Sequence, residues 1–146
     1  MGAALARRWG DTGRMHEIMF DDDDQLLARV REISLALPGA SERISHGRPW
    51  FFTKSGFAIY GGSVKGDGGW VQHPTALLVK ADPSELPAWL DDDRFFVPGY
   101  VGPSGWIGLD LDDDTDWRLA SELVETSYRL TAPARYVREL DEHHPA

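Results

Sequence analysis

The chain contains no cysteine, which removes disulfide staples, zinc ribbons and thiol nucleophiles together and is compatible with a reducing compartment. It has no apolar run of membrane-spanning length. Its basic start, Arg7-Arg8, leads into Trp9-Gly10-Asp11-Thr12 and not into the continuous apolar core of a secretory signal. These absences predict a soluble, cytoplasmic protein with no membrane partner. Positive charge is also in short supply, with 15 Lys and Arg against 24 Asp and Glu and a net charge of −9. A duplex-binding surface draws most of its affinity from cations that neutralise phosphates, so the overall balance argues against nucleic acid.

What is present suffices for one core. At 146 residues and 42% apolar content, a single domain buries roughly 70% of its unfolded surface, and six Trp, six Phe and four Tyr supply large apolar bodies. Residues 1–20 lack a hydrophobic period and read as a disordered extension or an upstream start. Residues 21–141 read as one α+β domain, and residues 142–146, with the adjacent His143 and His144, as a disordered tail.

Within the domain, the acidic run Asp21 to Asp24 suits a helix start, and Leu26, Leu27, Val30, Ile33 and Leu37 follow at helical spacing until Pro38-Gly39 ends the helix. Ser41 to Gly47 reads as a loop carrying Arg43 and His46. Trp50 to Thr53 and Phe57 to Tyr60 form a hairpin around Lys54-Ser55-Gly56. Gly61 to Gly69 is expected to be a glycine-dense loop, followed by Trp70-Val71 and a buried strand from Thr75 to Lys80. A short helix carries Leu86, Trp89 and Leu90. Phe95 to Pro98 is an edge or extended segment, and Trp106 to Leu111 alternates like a strand. Thr115 or Asp116 caps a long helix with Leu119, Leu123, Val124, Ser127 and Leu130 on one face, and Pro133 opens a final helix through Leu140. Three or four antiparallel strands are thus expected up to Lys80, with a second crossing of the sheet after Asp93 and helices packed against it.

Several short motifs recur in this order: Leu37-Pro38-Gly39-Ala40-Ser41-Glu42, His46-Gly47-Arg48-Pro49, Phe57-Ala58, Leu78-Val79-Lys80, Gly105-Trp106-Ile107 and Ser127-Tyr128-Arg129-Leu130. On these the chain resembles the MmcQ/YjbR-like family of small bacterial proteins from about Asp22 to Leu140. The resemblance implies a secretion-chaperone-like α+β fold and a DNA-binding role.

Catalytic and metal signatures fail on inspection. Gly61 and Gly66 have a P-loop interval, but Asp67-Gly68 stands where Lys and Ser or Thr belong, and Val71 replaces the last glycine of a dinucleotide fingerprint. Asp110, Asp112, Asp114 and Asp116 alternate like calcium ligands, yet Thr115 and Ser121 occupy the required Gly and Glu places. His46 and His73 lack a third zinc ligand, and Ser45 beside His46 is not in a nucleophile elbow. No catalytic residue, metal or cofactor is expected.

The charge is uneven, however. From Ser41 to Lys80 five cations, Arg43, Arg48, Lys54, Lys65 and Lys80, face only Glu42 and Asp67. The leading expectation, with DNA as the ligand that the family resemblance implies, is a non-catalytic module that binds weakly and salt-sensitively through Arg43, His46, Arg48, Lys54 and Lys65, with Trp50 and Trp70 available for stacking. The alternative is a protein or small-molecule interaction scaffold. An enzyme using His46 or His73 is the lesser one.

Overall fold

Asp24 opens the first helix from an extended backbone, its carboxylate accepting the Leu26 amide at 2.9 Å and so satisfying a donor left orphaned at the helix start. In the computed structural model, which describes residues 18–143, this helix, α1, spans Gln25–Leu35 and buries Leu27, Val30 and Ser34. The same carboxylate accepts the Tyr60 hydroxyl from the sheet. One side chain thus starts a helix and ties it to a strand. The expected disorder of residues 1–17 and 144–146 lies outside the described residues. Met19, within the expected extension, donates its amide to the Gly47 carbonyl at 2.9 Å.

The segment expected to be a loop after Pro38-Gly39 is instead a strand, β1 (Ser41–Ser45), paired with β2 (Arg48–Phe52) from Ser41 opposite Phe52 to Ser45 opposite Arg48. The turn is His46-Gly47, both at positive φ (54° and 80°), a geometry whose twist matches the strands it joins. β1 is an edge strand whose residues are exposed or half-buried, so it carries no apolar alternation to betray it.

A second correction concerns the glycine-dense segment. β3 (Gly56–Gly66) and β4 (Gly69–Lys80) form one long hairpin closed by Asp67-Gly68, and no loop intervenes. Pro74 does not end a strand because it falls in a register irregularity, where pairing passes from Tyr60 opposite Leu77 to Gly62 opposite His73. A residue without an amide donor is tolerated at such a bulge.

After α2 (Leu86–Leu90) come β5 (Phe95–Phe96), a 3-10 turn (Gly102–Ser104) and β6 (Trp106–Asp110). The antiparallel sheet has six strands in the order β1-β2-β3-β4-β6-β5. β1 is the addition to the expected strands, and the two-residue β5 falls within the expected edge or extended segment. The α+β class itself stands.

Two helices complete the chain, α3 (Trp117–Thr131) and α4 (Ala134–His143). Asp116, not Thr115, caps α3, accepting the Leu119 amide at 3.1 Å. Leu123, Val124 and Ser127 are buried as expected, together with Ala120 and Tyr128, whereas Leu130 is exposed. Ser127 donates to the Phe57 carbonyl at 2.6 Å and accepts the Lys80 amide at 2.9 Å, bridging β3 and β4 where they part. Tyr128 donates to the Pro38 carbonyl at 2.5 Å, and its burial pushes the phenol up to about 12. α4 continues past Leu140 and takes in positions assigned to the tail.

All this packing lies on one side of the sheet. Leu27, Val30, Phe51, Phe57, Tyr60, Leu77, Val79, Ile107, Leu123, Tyr128 and Leu140 form a single buried cluster. The opposite face holds a smaller one, Ile59, Ala76, Leu78 and Trp106, edged by Trp50, Phe96 and Val101. Among the described residues, no α-helix contributes to it. Among the described residues, no helix is long and apolar enough to cross a membrane.

Candidate functional site

On the open face, alternation along β2 points Arg48 and Trp50 the same way, and cross-strand pairing sets Trp50 opposite Ile59. Farther along the β3–β4 hairpin, Ser63 lies opposite Gln72 and Lys65 opposite Trp70. The segment between β5 and β6 then folds over this surface, the Gly99 amide donating to the Ser63 carbonyl at 2.7 Å. Between them lies a cavity of about 540 Å³, within the range of small-molecule sites. Its floor is Ile59, Leu78, Gly61 and Gly62; its walls are Trp50, Trp70, Tyr100 and Val101.

The walls are flat and aromatic. Trp70 stacks on Tyr100 with ring centroids 5.0 Å apart and planes 11° from parallel, and His46 tilts toward Trp50 at 6.4 Å. Tyr100 is 82% exposed and holds a positive φ of 64°, a conformation that is uncommon for a bulky residue and is worth reading as functional when it borders a cavity.

Among the described residues, Arg48 is the one lining residue with a fixed charge, and no carboxylate lines the cavity. Its Nη2 donates to the Gln72 amide oxygen at 2.5 Å. Its Nη1 is buried without an acceptor, one of only three such side-chain atoms among the described residues. Burial lowers the guanidinium pKa, with no neighbouring acid to restore it. The close approach depends on Gly61, which has φ 91° and stands where any Cβ would run into Nη1.

The expected cation set divides. Arg48 and His46 line the cavity with Trp50 and Trp70. Arg43 lies opposite Trp50 on the edge strand, its guanidinium over the Phe52 ring at 4.8 Å. Lys54 sits in the β2–β3 turn and Lys65 at the far end of β3, roughly 30 Å of strand apart. Glu42 is taken by Arg31 of α1 through a forked contact at 2.9 to 3.1 Å.

The other candidates are accounted for structurally. His73 bonds Asp110 at 2.8 Å and stacks on Phe96 at 4.0 Å, outside the cavity. Asp112 accepts the Asp114 amide and Asp116 caps α3; among the described residues no three metal-ligating side chains converge. Sequence reasoning missed Gln72, Ser63, Tyr100, Val101 and Met19, all of which line the cavity. Gln72 alternates with Trp70, a signal hidden once Pro74 is read as a strand break.

Comparisons with known proteins agree with this architecture. A crystal structure of a Deinococcus radiodurans protein with the DUF419 domain superposes with a TM-score of 0.56 at 17% sequence identity, over 80% of this chain and 86% of that one. No curated protein matches. The YjbR family model matches residues 35–130, from the end of α1 through α3, and the chain therefore belongs to the YjbR family.

Proposed function

We propose that the protein is a non-catalytic binding module whose working site is the open-face cavity, and that it takes a small molecule with a flat apolar body. The observation that carries this reading is the pair of aromatic walls, Trp50 on one strand and the Trp70–Tyr100 stack facing across the β3–β4 hairpin, around about 540 Å³ of space. Apolar sites with few, placed polar groups are the common form of small-ligand pockets.

The test is a titration of 15N-labelled protein with planar aromatic fragments, read on the indole N–H resonances. Saturable shifts at Trp50 and Trp70, with Trp89, Trp106 and Trp117 unmoved, are expected. Shifts distributed evenly over all six indoles, or none, would remove the cavity from consideration.

A second reading, DNA binding, draws on Arg43, His46 and Arg48, which flank Trp50 on the β1–β2 hairpin. Three such contacts would give a salt slope of about −2 to −3 on a duplex. Fluorescence anisotropy of labelled single- and double-stranded DNA across a salt series separates the two: the cavity reading expects no salt-dependent complex, and the hairpin reading expects one that Arg43→Glu abolishes.

A further inference from the structure

Arg48 poses a question that the aromatic walls leave open. Moving a guanidinium out of water without a counter-ion is unfavourable, yet here one donor is tied to a neutral amide and another is buried with no acceptor at all. Asp and Glu outnumber Lys and Arg in the chain by 24 to 15, but among the described residues no carboxylate borders the cavity. An anion arriving from outside would supply the guanidinium with a counter-ion.

We infer that the ligand is an aromatic monocarboxylate, its ring held between Trp50 and the Trp70–Tyr100 stack and its carboxylate received by the Arg48 guanidinium. This inference rests on the cavity reading above and names its ligand class. The planar guanidinium fork matches the two oxygens of a carboxylate, and Gln72 holds that fork in the cavity wall. Ser63 and His46 are the remaining polar side chains of the lining. A single fixed positive charge, in a body of net charge −9, suits a monoanion; a phosphate dianion calls for more cations than the lining provides. Gly61 belongs to the same device, since its missing side chain is what lets the guanidinium lie at this depth.

The experiment compares three probes of one shape by isothermal titration calorimetry on the full chain: 2-naphthoate, the neutral 2-naphthamide and 2-naphthyl phosphate. Wild-type protein should prefer naphthoate over naphthamide by about tenfold or more, the worth of a charge-assisted hydrogen bond at the low end of its range. Arg48→Gln should erase that preference, with an unchanged far-ultraviolet circular dichroism spectrum and urea midpoint reporting that the fold is intact.

Equal binding of naphthoate and naphthamide by the wild type, or a preference that survives in Arg48→Gln, would overturn the carboxylate inference and leave the cavity reading standing. Tighter binding of the phosphate would overturn the monoanion assignment. Failure of all three probes at millimolar concentration would take down the cavity reading itself.

Discussion

The two faces of the sheet solve opposite problems with the same strands. On the covered face Phe51, Phe57, Tyr60, Leu77, Val79 and Ile107 are essentially inaccessible beneath α1, α3 and α4, and Tyr60 is matched to Asp24, Ser127 to two backbone groups and Tyr128 to Pro38, with the Ser34 hydroxyl of α1 the exception. On the open face Trp70 is 44% and Tyr100 82% exposed, and the buried Nη1 of Arg48 is unmatched. Burial of neutral side chains, most of them satisfied, marks the face that holds the fold together. Unsatisfied burial beside exposed aromatics marks the face that is available for work.

That contrast can be broken by substitution, and the covered face should respond most. Phe57→Ala removes a fully buried ring from beneath Tyr128, which it meets edge-on at 5.4 Å; it is expected to cost about 3–5 kcal/mol in urea unfolding. Ser127→Ala leaves the Lys80 amide without its acceptor and the Phe57 carbonyl without its donor, and should cost about 1–3 kcal/mol by the same measurement. A comparable loss from an exposed position such as Leu130 would show that the burial map misplaces the core.

Alkali probes the same face without mutation. The phenols of Tyr60 and Tyr128 are both held above the ordinary tyrosine range, chiefly by burial. The native state therefore keeps protons that the unfolded chain releases near pH 10, and stability should fall as pH rises from about 10 toward 12. In a spectrophotometric titration at 295 nm two of the four tyrosines should resist ionisation until the fold gives way. Simultaneous titration of all four in folded protein would contradict the assignment.

The open face should respond less in stability and more in binding. Gly61→Ala places a Cβ at positive φ against Arg48, for an expected loss of about 1–2 kcal/mol together with fragment binding. Arg48→Met, which removes an unmatched buried donor, should leave the urea midpoint unchanged or slightly higher. A large destabilisation in that variant would place Arg48 among the residues that hold the structure and blur the distinction between the faces.

Much of the covered face was legible from residue order. The spacing of Leu27, Val30 and Ile33, the capping carboxylates at Asp24 and Asp116, and the run Ala76 to Val79 each report their own burial, because helix and strand periods are local properties. The errors fell where local pattern and pairing diverge. β1 has no apolar alternation because it is an edge, and the β3–β4 hairpin hides behind glycines and Pro74, whose apparent veto on a strand is cancelled by the register irregularity opposite Gly61. The site was legible only in its ingredients. Arg48, His46, Trp50 and Trp70 were singled out by residue type, but Lys54 and Lys65 were grouped with them by closeness in sequence, and the intervening strand carries those two to opposite ends of the sheet.

Residue order alone settled the positions of the helices, the β2–β3 turn and the family, since each depends on spacing within a few neighbouring residues. It could not settle that Met19, Arg48, Gln72 and Tyr100 border one space, or that a guanidinium within it lacks an acceptor. Those facts arise from strand register and from a connection folded across the sheet, which bring together side chains dozens of positions apart. Desolvation belongs to the assembled surroundings of a group, and no stretch of chain carries it before the fold has closed around it.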